Sequence, residues 1–110
     1  MGGRGTISVV SNITPRLCAD MHDALRRDDT HTARAIHHRL RPLIAALELE
    51  SNPVPVKYAL HVVLGLGPDA RLPLVSVEAA TAKAIREALA ALDDTGGELR
   101  QRVSAVCRRR

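Results

Sequence analysis

The sequence is almost without aromatic rings. Among its 110 residues there is no Phe, no Trp and a single Tyr, Tyr58. That excludes a core anchored on large rings and leaves Leu, Val, Ile and Ala to fill it. It also excludes the aromatic platforms on which single-stranded nucleic acid stacks. Cysteine is scarce: Cys18 and Cys107 lie far apart and exclude a disulfide framework. Lysine is scarce as well, with only Lys57 and Lys83. No apolar run approaches the roughly 20 residues of a membrane span. The opening Met1-Gly2-Gly3-Arg4-Gly5 has no apolar stretch, so no secretory leader is expected. The default expectation is a cytoplasmic protein with no membrane association.

What is present is a composition that folds: 45% hydrophobic and 25% charged. The net charge of +4 raises nucleic acid as a partner, but the surplus is local. Residues 95–110 carry Arg100, Arg102, Arg108, Arg109 and Arg110 against Glu98, which accounts for all of it. The body before them is formally neutral. The charge therefore describes an appended basic tail and counts against nucleic-acid binding by the body.

Thr6-Ile7-Ser8-Val9-Val10 is a β-branched run and predicts one strand. No second strand is visible, so its backbone groups lack partners within the chain. It must pair with another copy, pair with a missing part of the protein, or not form. Thr14-Pro15 predicts a helix start, with a hydroxyl cap and Pro at the first position. Leu17, Met21, Ala24 and Leu25 share its apolar face, and Cys18 lies off that stripe. Asp29 or Thr30 caps the next helix. Ala33, Ile36, Leu40, Leu43, Ile44 and Leu47 form its stripe, which keeps phase across Pro42 and so predicts one kinked helix. The prolines predict an extended link over Glu50-Ser51-Asn52-Pro53-Val54-Pro55. A third helix follows from about Val56 to Leu64, with Val56, Ala59, Leu60 and Val63 inward. Gly65-Leu66-Gly67-Pro68-Asp69 stops it. Arg71-Leu72-Pro73-Leu74 reads as a short extended link. Ser76 is expected to cap a fourth helix, with Glu78 in its first turn. Val77, Ala80, Ala84, Ile85, Ala88, Leu89 and Leu92 would line its inner face, and Asp93-Asp94 would end it. The fold class is thus mainly α, one β-strand plus four helices, with a weakly helical basic tail.

These segments also carry motifs. Gly5-Thr6-Ile7-Ser8-Val9-Val10-Ser11-Asn12 resembles the last barrel strand of the dihydrodipicolinate synthase (4-hydroxy-tetrahydrodipicolinate synthase) family, within the N-acetylneuraminate lyase superfamily. Arg39-Leu40-Arg41-Pro42-Leu43 is similar to that family's R-L-x-P-L. Asn52-Pro53-Val54-Pro55-Val56-Lys57-Tyr58-Ala59 is similar to its N-P-I-P-V-K-W-A, with Tyr58 where the family has Trp. Gly65-Leu66 and then Arg71-Leu72-Pro73-Leu74 are similar to its G-L and R-L-P-L. The resemblance spans residues 3–94.

The resemblance implies a TIM barrel with a helical extension. Residues 1–27 would be the last strand and helix of the (β/α)8 barrel. Residues 28–94 would be the C-terminal helical domain, and 95–110 a basic tail without family counterpart. An intact barrel needs at least about 200 residues, so the chain resembles only its C-terminal portion. The implied activity is that of a class I lyase. It condenses pyruvate with aspartate semialdehyde through a Schiff base on lysine, in lysine and diaminopimelate biosynthesis. No further cofactor is implied. The Schiff-base lysine belongs upstream of these residues, so no catalytic residue is expected here. Lys57 holds a structural motif position and Lys83 an exposed one. One contact carries over: the backbone carbonyl of Ile7 near bound pyruvate. The implied partners are an N-terminal barrel half and, as in the family, further copies of the chain. Whether these residues alone act as an enzyme stays open, with inactivity expected. The alternative is a non-enzymatic helical interaction or oligomerisation module.

Other patterns point less far. Among His22, His31, His37, His38 and His61, the spacing of seven lets His31 and His38 share a helical face, and no cysteine or carboxylate completes a convincing metal set. Asp28-Asp29 and Asp93-Asp94 sit at helix junctions, where carboxylates cap. Gly2-Gly3-Arg4-Gly5 precedes a predicted strand instead of joining a strand to a helix, so it is no phosphate loop.

Overall fold

A computed structural model describes residues 4–94. The basic tail at 95–110 and the first three residues lie outside the described residues. Four α-helices follow one another: α1 (Pro15–Arg26), α2 (Thr30–Leu47), α3 (Val54–Leu64) and α4 (Ala79–Asp94). Helix α2 is the hub. It packs against α1 on one side and α4 on the other, and α3 closes on α4.

The expected strand is absent: among the described residues there is none, and the fold is helical throughout. Residues 4–8 belong to no regular element, and the chain curls into a 3-10 turn at Val10–Asn12. The physical reason is local. With no neighbouring strand, the backbone takes the partners at hand. The Ser11 N–H donates to Ser8 Oγ at 3.2 Å, and Ser11 Oγ donates to the Ser8 carbonyl at 2.8 Å. Asn12 Nδ2 donates to the Val9 carbonyl at 3.0 Å. Ile13, 3% exposed, then plugs the segment into the helical core.

Helix α1 begins at Pro15 as expected, but Thr14 makes no side-chain cap. Its hydroxyl instead donates back to the Val10 carbonyl at 3.4 Å. Its buried stripe is Leu17, Cys18 and Ala24, with Met21 packed beside it. This corrects two expectations. Cys18 is in the core, and Leu25 is 50% exposed. The chain then passes through Asp28, at φ 63°, into α2. Asp29 caps α2, its Oδ1 accepting the Thr32 N–H at 3.0 Å.

Helix α2 runs unbroken through Pro42. Pro42 removes the N–H that His38's carbonyl would accept, and both residues are exposed, so that carbonyl is not cut off from solvent. The inward stripe is Ala33, Ile36, Leu40, Leu43, Ala46 and Leu47, with Ile44 half-buried at its margin.

The two proline links are turns, not extended chain. The Val54 N–H donates to the Ser51 carbonyl at 3.2 Å, and the Leu74 N–H to the Arg71 carbonyl at 3.1 Å. Each holds a cis proline, Pro53 or Pro73, at its third position, which defines the type VI turn. The first turn lets α3 start at Val54 and absorb Pro55, where the first turn of a helix needs no N–H. Helix α3 ends at Gly65, whose φ of 68° suits glycine, and the Gly65 N–H donates to the His61 carbonyl at 2.9 Å.

Helix α4 starts three residues past Ser76, at Ala79, and Ser76 is exposed. The Glu78 N–H is held from outside the helix, donating to Glu50 Oε1 at 3.1 Å. Thr81 and Ala82 are buried in place of the expected Ala80, while Ile85, Ala88, Leu89 and Leu92 face inward as expected. Leu40, Leu43, Ile85 and Pro55 are the largest side chains sealed from solvent, and Ala24 and Ala59 are at 0% exposure. Small residues at such points let helices approach closely without rings to fill the space. No helix among the described residues is long and apolar enough to cross a membrane.

Candidate functional site

Two motif segments that are distant in sequence meet in space. The run Thr6 to Val10 and the motif residue Asn52 line one cavity of about 310 Å³, closed by Ile44, Leu47 and Glu48 from the end of α2. Ile7 lies on its wall with its side chain fully exposed. The cavity offers hydroxyls, an amide, a carboxylate and peptide groups. Neither Lys57 nor Lys83 lines it, so it can hold a polar ligand but supplies no amine nucleophile of its own.

The lysines sit elsewhere. Lys57 is half-buried on α3. Lys83 is on α4 with its side chain 72% exposed, and its Nζ lies 3.8 Å from Glu87 Oε1. An amine that forms a Schiff base is desolvated in an apolar pocket or set beside another cation. Lys83 has water and a carboxylate instead.

Tyr58, at the motif position after Lys57, bridges two helices. Its hydroxyl meets Arg86 of α4, and its ring lies 6.2 Å from that of His61. It borders a smaller hollow of about 150 Å³ with Val54, Pro68, Ser76 and Val77. His61 Nδ1 is 2.8 Å from the Leu66 carbonyl and so pins the loop after α3. The motif therefore works as a clasp between α3, α4 and their connection. Arg86 and Glu50 complete that clasp. The sequence pattern did not single them out, because each partner lies 28 residues away and leaves no local period.

The remaining candidates separate. His31, His37 and His38 point from α2 into solvent. No group of three His, Cys, Asp or Glu placed to hold a metal occurs among the described residues. Cys18 is buried, with its Sγ 4.0 Å from Thr14 Oγ1. Asp29 is spent on its cap. The Thr32 side chain, then the Thr32 backbone N–H, hold its carboxyl below the usual 3.8.

Known proteins resolve what these pieces belong to. The dihydrodipicolinate synthetase family matches residues 1–92. The 4-hydroxy-tetrahydrodipicolinate synthase of Pseudomonas savastanoi pv. phaseolicola is 47% identical over 89 residues, covering 81% of this chain and 30% of that enzyme. That of Bradyrhizobium diazoefficiens is 46% identical over 88 residues, covering 80% and 30%. The crystal structure of dihydrodipicolinate synthase from Thermotoga maritima superposes with a TM-score of 0.80 at 37% identity, over 83% of this chain and 31% of that one. The chain thus spans about 30% of the length of the curated relatives it matches. On its motifs, its helices and these matches, the chain belongs to the dihydrodipicolinate synthetase family.

Proposed function

We propose that these residues are the C-terminal portion of a 4-hydroxy-tetrahydrodipicolinate synthase-like lyase. The parent reaction is condensation of pyruvate, held as a Schiff base on lysine, with aspartate semialdehyde, in cytoplasmic lysine and diaminopimelate biosynthesis. The nucleophile is supplied by barrel residues outside this chain. This portion supplies a helical platform and one peptide contact, the Ile7 carbonyl, to the pyruvate pocket. One observation carries the reading. The match covers about four-fifths of this chain but only 30% of the Pseudomonas savastanoi enzyme. The placement of the two lysines supports it, since neither lines the cavity that the motif segments build.

The chain alone is inactive on this reading. The test is complementation. The rest of the Pseudomonas savastanoi enzyme, produced separately, is mixed with this chain, and condensation of pyruvate with aspartate semialdehyde is assayed. Activity in the mixture, and in neither part alone, is the expected result. Turnover by this chain alone overturns the proposal.

The exposed Ile7, Leu72 and Val75 favour a second reading, a helical module that associates without catalysis. Size-exclusion with light scattering tests it. A defined, folded oligomer that fails to complement the enzyme supports it, and a folded monomer contradicts it.

A further inference from the structure

The cavity beside Ile7 carries charge of one sign only. Of the residues that line it, Glu48 alone is charged. Among the described residues, no ion pair and no side-chain hydrogen bond engages the Glu48 carboxylate. Glu50, two residues on, is different: its carboxylate holds the Glu78 N–H at 3.1 Å. Glu48 also stands directly after the last residue of α2, as its C-cap. A helix ends there on carbonyls without intrahelical partners, the negative pole of its dipole. Carboxylate and helix end therefore favour the same guest, a cation. The chain as a whole has the opposite sign, with a net charge of +4, so the preference is local to the cavity.

The rest of the lining says which kind of cation. Val9, Ile44 and Leu47 supply apolar surface. Thr6, Ser8 and Asn52 add side-chain oxygens that accept N–H donors. A metal ion finds no ligand set, because no group of three His, Cys, Asp or Glu placed to hold one occurs among the described residues. The volume of about 310 Å³ lies at the lower end of small-molecule sites and has room for a short carbon chain. An ammonium group brings three donors and no acceptor. It matches a carboxylate flanked by oxygens, while an alkyl chain behind it covers the apolar wall. We propose that Glu48 makes this cavity a binding site for small aliphatic primary amines, held as their ammonium ions. No covalent bond forms there, so the site differs in kind from a Schiff-base pocket.

A charge series of one shape tests this. The full chain is titrated at neutral pH and low salt with n-butylammonium, n-butanol and butanoate, and its backbone amide NMR signals are followed. Glutamate and the alkylammonium are both ionised under these conditions. Butylammonium should move the signals of Thr6 to Val10 and of Glu48, with a midpoint about tenfold below that of butanol. Butanoate should bind more weakly than the alcohol. Glu48→Gln should remove the preference for the cation. Glu50→Gln, which removes an equal charge two residues away, should keep it. Helical circular dichroism checks that both variants stay folded. Equal midpoints for cation and alcohol, signals that move only outside the cavity, a preference that survives Glu48→Gln, or one lost as fully in Glu50→Gln would each overturn the proposal. The titration uses this chain alone, so its outcome is separate from that of the complementation assay.

Discussion

The segment 4–12 and the body 14–94 carry motifs of the same family, yet they behave oppositely. In the body, each motif meets its partners within the chain. Tyr58 reaches Arg86, Glu50 reaches Glu78, and Leu40 and Leu43 are sealed in the core. In the first segment, the Ile7 side chain is fully exposed, and Ser8 and Ser11 satisfy each other. A motif read from sequence folds as its family does only where the residues that complete it are present. Helices need few outside partners, because their backbone bonds are internal. A strand has no internal bonds and takes whatever shape its neighbours allow.

Mutations sharpen this contrast. The largest effect is expected at the hub. Leu43→Ala removes a side chain at 0% exposure, and urea denaturation should show a loss of about 2 to 5 kcal/mol. Gly65→Ala comes next. It forces a side chain into a left-handed turn at φ 68° and should cost about 1 to 2 kcal/mol by the same measurement. Asp29→Asn acts more narrowly. Asn still caps, but the pH response changes. The carboxyl is held below 3.8 in the folded chain, so its stabilisation is complete above 3.8 and fades as pH falls through the folded value. The melting-temperature gap between wild type and Asp29→Asn should therefore shrink on acidification below 3.8. The smallest effect is expected at Ile7. Its side chain is fully exposed, and Ile7→Ala should leave stability within about 0.5 kcal/mol of wild type. A large loss there would erase the contrast between the two regions.

Much of the body was legible because its signals are local. The α2 stripe kept phase across Pro42, Asp29 capped, and Gly65 stopped α3, each from chemistry within one or two turns. What was not legible depended on distant residues. The start of α4 moved from Ser76 to Ala79 because Glu50 holds Glu78 from 28 residues away. Cys18 replaced Leu25 on the buried face of α1 because α2 and Ile13 determine which face is covered. The predicted strand failed for the same reason, since no other strand lies beside it among the described residues. The meeting of Asn52 with Thr6–Val10 around one cavity had no sequence signal beyond both belonging to family motifs.

Schiff-base trapping tests the central claim most directly. The 110-residue chain is incubated with pyruvate, reduced with borohydride and weighed by mass spectrometry. The account predicts an unchanged mass of 11.9 kDa for the chain alone. In the complementing mixture, it predicts a reduced pyruvate adduct on the partner polypeptide only. An adduct on Lys57 or Lys83 would contradict it.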